Sequence, residues 1–227
     1  MDLLAHKPGS PSASGVLDVG MACPHSCVFC YYSHFGGAAE QFGPLRAAKP
    51  RSTPDCLEIL GHFAAQGLTR YDITGGEPAI HPDLEAIVRH GTELGLSGRL
   101  ITLGQLLTRV GRRGALLERL LDAGLADVLF SLHAPDADSF RAFTGGELAR
   151  TLAAMEALDA RGFQYGVNTV VFAGNAGMLE GVARLSAGRG VYVHNFILFN
   201  AYHAWAGSDR ARGVRARYAD VAGDLAR

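Results

Sequence analysis

The chain has 227 residues, 48% of them hydrophobic, with 21 Lys and Arg against 22 Asp and Glu and a formal net charge of -1. That length and apolar share suit a single domain, residues 1–227, with a sizeable core. Near-neutral charge, with only Lys7 and Lys49 as lysines and the arginines scattered, argues against nucleic acid as a partner, because phosphates are held by a surplus of basic groups. Residues 1–16 lack the apolar run of a signal peptide, and no stretch is long enough to span a membrane, so no membrane association is expected.

Taken in order, residues 1–15 are broken by Pro8, Gly9, Pro11 and Gly15 and read as a flexible N-terminal segment. A first strand is expected at Val16–Gly20, leading into a cysteine-bearing loop, and 34–52 reads as a further loop rich in Gly, Ala and Pro. Thr53 as N-cap and Pro54 in the first turn open a helix with Leu57, Leu60 and Phe63 on its apolar face, and Cys56 within it reads as a small buried hydrophobe. Strands then alternate with helices: strand 69–74, helix 82–94, strand 98–103, helix 114–123, strand 126–133, and a helical region 139–161 broken near Gly145. Strand 165–172, helix 178–187, strand 191–199 and a last helix 214–226 complete the series. This alternation argues for an α/β fold with a parallel sheet wrapped by helices, a partial (β/α)6 barrel whose core runs over 16–200, with 201–227 as a substrate-side loop and last helix. Reactive groups in such barrels sit at the C-terminal ends of the strands.

Three of the four cysteines, Cys23, Cys27 and Cys30, are spaced C-x3-C-x2-C in the loop after the first strand. Thiolates gathered this closely bind zinc or an iron-sulfur cluster. A structural zinc site wants four ligands; His25 could complete a Cys3His knot, but no second cysteine arm exists. Three thiolates on a four-iron cluster leave one iron open for a ligand.

With Phe29 as the aromatic, the pattern C-x3-C-x-aromatic-C resembles the signature of the radical S-adenosylmethionine (radical SAM) superfamily. Gly75-Gly76-Glu77-Pro78, at the end of the second strand, resembles that family's G-G-E-P segment, although a Gly-Gly turn is by itself weak. The resemblance implies a radical SAM barrel in which Cys23, Cys27 and Cys30 hold a 4Fe-4S cluster and S-adenosylmethionine chelates the open iron. It implies cofactor contacts from Phe29, Gly75, Gly76, Glu77 and Pro78. It further implies Ser131 and Asn168 at the ends of the fourth and fifth strands, and position suggests Asn200 after the sixth. On this reading Gly76 supplies no metal ligand, so Gly76→Val would weaken cofactor binding and leave iron content unchanged.

The segment Ser131–Gly145 resembles the subgroup that contains the GTP-cyclising enzyme of molybdenum-cofactor biosynthesis and many peptide-modifying enzymes. His133 stands where aspartate is usual, either to shuttle a proton or to hydrogen-bond a backbone carbonyl. Leu103 replaces an asparagine common in relatives, and Arg141 is a weaker candidate for carboxylate binding beside its reading as a solvated arginine. Asp72 and Gly166 replace basic residues of the cyclase, and the additional C-terminal cysteines are missing, so its GTP reaction is not expected. Tyr202, His203 and Trp205 are candidates for the substrate side, or form a plain surface cluster. The expected function is reductive cleavage of S-adenosylmethionine to a 5'-deoxyadenosyl radical that abstracts hydrogen from a peptide or small-molecule substrate, with an external electron donor such as flavodoxin or ferredoxin. Cysteines kept reduced to hold iron point to the cytoplasm. The rival is an iron-sulfur electron-transfer or structural zinc-binding module without radical chemistry.

Overall fold

The computed structural model describes residues 14–30, 49–112, 114–200 and 209–225. The strands are β1 (Ser14–Asp18), β2 (Arg70–Thr74), β3 (Ser97–Thr102), a short pair β4 (Val110–Gly111) and β5 (Gly114–Ala115), then β6 (Asp127–Ser131), β7 (Tyr165–Val171) and β8 (Val191–Leu198). Six of them form one sheet in the order β1-β2-β3-β6-β7-β8. Every pairing in it is parallel. The sheet is open, with β1 and β8 at its edges, which is the partial barrel expected from the alternation.

Helices α1 (Thr53–Ala65), α2 (Leu84–Glu93), α3 (Leu116–Asp122), α4 (Ala137–Thr144), α5 (Leu148–Asp159) and α6 (Leu179–Ser186) are the crossovers, and α7 (Asp209–Val214) and α8 (Tyr218–Leu225) follow β8. Leu17, Tyr71, Ile73, Leu100, Val128, Phe130 and Val167, at alternate strand positions, are buried in one core cluster with Leu60, Leu84, Ile87, Leu117, Leu120, Phe140, Met155 and Leu158 of the helices. Cys56 is part of that core, fully buried, and burial pushes its thiol up, as befits a small hydrophobe.

Several boundaries differ from the sequence expectation for local reasons. The N-cap of α1 is Ser52, whose hydroxyl accepts from Asp55 N at 3.3 Å, while Thr53 is already helical and donates to Asp83 Oδ2 at 2.6 Å. The break near Gly145 is real: Gly145 takes the left-handed conformation at φ +71 and ends α4, and α5 starts three residues on, at Leu148. Residues 114–115 pair back onto 110–111 as a hairpin rather than opening a helix. The C-terminal helix is two short helices.

At the other end of the core, Asp159 fastens α5 to the starts of β7 and β8. Its carboxylate accepts from Tyr165 Oη, Gly190 N and Arg189 Nη1, each at 2.9 Å. These donors hold the carboxyl below its usual range despite an opposing desolvation cost. Asp159→Ala is expected to cost about 1–3 kcal/mol, since it strands these donors. Urea unfolding measures it, and an unchanged midpoint would mean that water serves them equally well.

Candidate active site

The sheet face turned away from the helix-side core carries two levels of side chains. Across the lower level, Asp72 is in register with Arg99, and Arg99 with Asp127. Arg99 holds Asp72 bidentately at 2.8 and 3.0 Å, and Tyr192 Oη donates to Asp127 Oδ2 at 2.7 Å. These groups line a cavity of their own, so Asp72 lies paired with Arg99 outside the site above it. Gly166 offers no cation, and the methyl group that any other side chain would begin with meets Leu129.

Above this level, at the C-terminal ends of the strands, lies a cavity of about 300 Å³ lined by Cys23, Cys27, Cys30, Phe29, Gly75, Gly76, Glu77, Ser131, His133 and Asn168. The three cysteines are half-buried. Among the described residues, no three His, Cys, Asp or Glu side chains converge closely enough to hold a single metal ion. The three thiols instead share the wall of one cavity, and His25 turns its Nε2 toward Glu77 Oε2 at 3.7 Å. The donor set of three soft sulfurs at the wall of one cavity fits a four-iron cluster.

The cysteine loop is strapped on two sides. On one, Val19 N donates to Thr74 O at 3.0 Å, Gly76 N to Gly20 O at 2.8 Å and Glu77 N to Ala22 O at 3.0 Å, so the loop continues the pairing of β1 with β2. On the other, Ser26 N and Val28 N each donate at 2.9 Å, to Thr144 O and Phe143 O at the end of α4. Phe29 packs on Phe172 at 5.0 Å between centroids, in an aromatic cluster with Phe199 that ties the loop to the ends of β7 and β8.

The glycine pair makes this contact possible. Gly75 has φ +139, and a Cβ on Gly76 would stand inside the carbonyl oxygens of Met21 and Ala22. The first demand on these glycines is thus the approach of the cysteine loop, which corrects the expectation that Gly76→Val spares the iron. Glu77 is likewise engaged with the protein. Its Oε1 accepts from Thr102 Oγ1 at 2.6 Å and Ala79 N at 3.0 Å, and its Oε2 from Leu103 N at 3.1 Å. Burial pushes this carboxyl up, and those donors oppose the shift. Leu103, in place of an asparagine, thus contributes through its backbone.

His133 is buried, and its Nδ1 accepts from Val170 N at 3.1 Å, which leaves the ring proton on Nε2. Its edge meets Phe29 at 4.5 Å, and desolvation pushes it down to about 3. A ring so reluctant to charge does not act as a proton shuttle near neutral pH, and its bond is to a backbone N–H rather than to a carbonyl. Asn168 reaches the cavity with its Oδ1 accepting from Asn195 Nδ2 at 2.9 Å.

Pro78 and Asn200 do not line this cavity. Pro78 is buried in a short 3-10 turn, Pro78–Ile80, and Asn200 is exposed, because Phe199 before it turns inward to the aromatic cluster. Arg141 is exposed on α4, the solvated reading. Tyr202, His203 and Trp205 lie outside the described residues. Thr74, Ile101 and Ile197 line the cavity and were not singled out from the sequence, whereas Val170, the valine of the Asn-x-Val pattern that begins at Asn168, does line it. The two-residue strand period pairs Thr74 with Gly76 and Ile101 with Leu103, a signal that points to these two.

The chain resembles known proteins at modest identity. A stretch of 137 residues, 58% of this chain, is 34% identical to a PqqA peptide cyclase of Rhodopseudomonas palustris, and it spans 32% of that protein. An AdoMet-dependent heme synthase of Methanosarcina barkeri is 32% identical over 151 residues, 66% of this chain and 40% of that protein. In structure, Streptococcus suis SuiB bound to S-adenosylmethionine superposes with a TM-score of 0.71 at 15% identity over 94% of this chain and 46% of that one, a likeness of fold. The chain thus spans a third to a half of the length of these relatives. The sequence profile of the radical SAM superfamily matches residues 18–184, most of the chain and all of the strands from β2 to β7, and on that match the chain belongs to the radical SAM superfamily.

Proposed function

We propose that this chain binds a 4Fe-4S cluster on Cys23, Cys27 and Cys30, binds S-adenosylmethionine in the cavity beside it, and modifies a peptide by hydrogen abstraction. The observation that carries the reading is the placement of three half-buried thiols on the wall of one cavity whose floor is made by the ends of β2, β3, β6 and β7. When bound, the cluster supplies the electron that splits S-adenosylmethionine into methionine and a 5'-deoxyadenosyl radical. The protein's part is to position and to exclude water. Ile101, Leu103, Val170, Ile197 and Phe29 give the cavity apolar walls, which suit the thioether and nucleoside carbons and keep water from a reactive carbon radical. Ser131 and Asn168 bring polar side chains to the same wall for the hydroxyl and ring nitrogen groups of the nucleoside.

A peptide is the favoured substrate because relatives matched in sequence are named peptide cyclases and the fold recurs in SuiB, solved bound to its precursor peptide SuiA. Cytoplasmic placement is part of the same reading; among the described residues no helix is long and apolar enough to cross a membrane.

The test is anaerobic reconstitution with iron and sulfide, followed by dithionite and S-adenosylmethionine. About four irons per chain and slow release of 5'-deoxyadenosine without substrate are expected. One tightly held zinc, no iron, and no 5'-deoxyadenosine would end the radical reading. Mass spectrometry of candidate precursor peptides after turnover then checks the substrate class.

A further inference from the structure

Between β3 and α3 the chain makes an excursion, Leu103–Ala115, that ends in the β4-β5 hairpin. Because it leaves from the C-terminal end of β3, it rises on the same side of the sheet as the cysteine loop. The cleft between this excursion and the first turn of α5 is lined by Gln105, Thr108, Arg109 and Arg150 and encloses about 550 Å³. Its floor is fixed: Gln105 Nε2 donates to Glu147 O at 3.0 Å and Thr151 Oγ1 at 2.9 Å, and its Oε1 accepts from Glu147 N at 2.8 Å.

The charge on this cleft is one-sided. Arg109 and Arg112, at the hairpin, are exposed and make no ion pair among the described residues. Among the described residues, seven other arginines sit beside a carboxylate, as Arg99 does with Asp72, Arg119 with Glu85 and Arg189 with Asp159. Arg150 reaches Glu147 at 3.1 Å, but both ends are half-exposed, where such a pair is weak. Two guanidinium groups, Arg109 and Arg150, thus line the cleft, Arg112 is exposed on the adjoining hairpin, and one carboxylate, Glu147, pairs with Arg150. Beside them Val110 is 77% exposed, an apolar contact at the hairpin.

The cleft is also one packing layer from the candidate cluster ligands. The segment Thr144–Glu147 forms that layer. On one side Thr144 O accepts from Ser26 N at 2.9 Å and lies 4.0 Å from Cys27 Sγ; on the other Glu147 is held by Gln105 at the cleft floor. A redox protein seated in the cleft would have this one segment between it and Cys27.

We infer that the cleft of Arg109 and Arg150, with Arg112 of the adjoining hairpin, is the docking surface for an acidic one-electron donor protein. The inference rests on the proposed function, which needs such an electron. In the docked complex the reduced flavin or iron-sulfur centre of the partner would give one electron to a cluster held by the three cysteines, and the partner would leave oxidised by one electron. Guanidinium groups left without partners are suited to carboxylates of a partner surface, and they steer encounter in a salt-dependent way.

The experiment compares reconstituted wild-type enzyme with Arg109→Glu/Arg112→Glu and with Arg184→Glu, an exposed arginine on α6, using a flavodoxin as the probe. Reversal at the hairpin is expected to weaken flavodoxin binding and slow cluster reduction by it on the order of tenfold or more at low salt, and to flatten the salt dependence. The Arg184 variant and the reduction of both variants by dithionite, which needs no docking, should match wild type. Equal flavodoxin binding by wild type and the hairpin variant would overturn the inference. Equal slowing with dithionite would too, because it would assign the arginines to the fold. Loss of peptide binding with flavodoxin unaffected would give the cleft to an acidic substrate segment instead. If dithionite yields no 5'-deoxyadenosine in wild type, the proposed function fails, while flavodoxin binding still reports on the cleft independently.

Discussion

Gly76→Val is expected to leave a protein that no longer assembles its cluster, with iron content falling from about four per chain to near none. A Cβ at residue 76 meets the carbonyl oxygens of Met21 and Ala22, which are backbone atoms and cannot swing aside as a side-chain tip would. The loop must then lift, and the bonds Gly76 N to Gly20 O and Glu77 N to Ala22 O break with it. Cys23 follows Ala22 directly and moves first, whereas Cys27 and Cys30 remain pinned through Ser26 and Val28 to the end of α4. Two thiolates in place and one displaced do not complete a three-thiolate site. The measurement is iron and sulfide per chain with the charge-transfer absorbance near the visible range, alongside circular dichroism. Full iron with weakened S-adenosylmethionine binding would restore the view of Gly76 as a cofactor contact alone.

The second large effect is on stability and comes from His133. Its pKa is pushed from 6.5 down to about 3, chiefly by burial and secondarily by the charge on His194. For a base depressed in this way the folded state refuses a proton that the unfolded chain accepts, so stability is intact above about pH 6.5 and is lost as pH falls toward about 3. The loss is on the order of 3 kcal/mol by about pH 4, a large part of the margin of an ordinary domain. His194, pushed down to about 4 by burial, adds to the slope, and the acidic groups add theirs, so the comparison is made against His133→Leu. That variant leaves Val170 N without its acceptor and should be about 1–3 kcal/mol less stable at neutral pH. The gap should narrow or reverse toward pH 4 in urea titrations. A gap that stays constant would mean that His133 titrates normally.

The sheet was legible because its strands are short runs of apolar residues between helices of regular period, and a parallel sheet with one covered face demands both. The hairpin of β4 and β5 was not, because Val110-Gly111-Arg112-Arg113-Gly114-Ala115 has no alternation and its glycine precedes an apolar helix. In the site, the three cysteines, Phe29, Gly75, Gly76, Glu77, Ser131, His133 and Asn168 all reach one cavity. What the sequence did not disclose is which groups were already spent. Glu77 uses both oxygens on β3 and the turn after β2, and Asp72 is matched by Arg99 across a strand pair whose register no short motif records. Pro78 was carried along by the motif that contains it, yet the chain turns away one residue earlier.

The two straps on the cysteine loop bear on how the enzyme matures and survives air. A zinc finger spends its metal-binding energy on folding and collapses when the metal is drawn out. Here the loop is registered on β2 and on the end of α4 by main-chain bonds that involve no sulfur. On the proposed function, the mould would stand before the metal arrives. If the proposed cluster were lost to oxygen, these bonds would keep the loop near its shape, so a lost cluster could be rebuilt without refolding the chain.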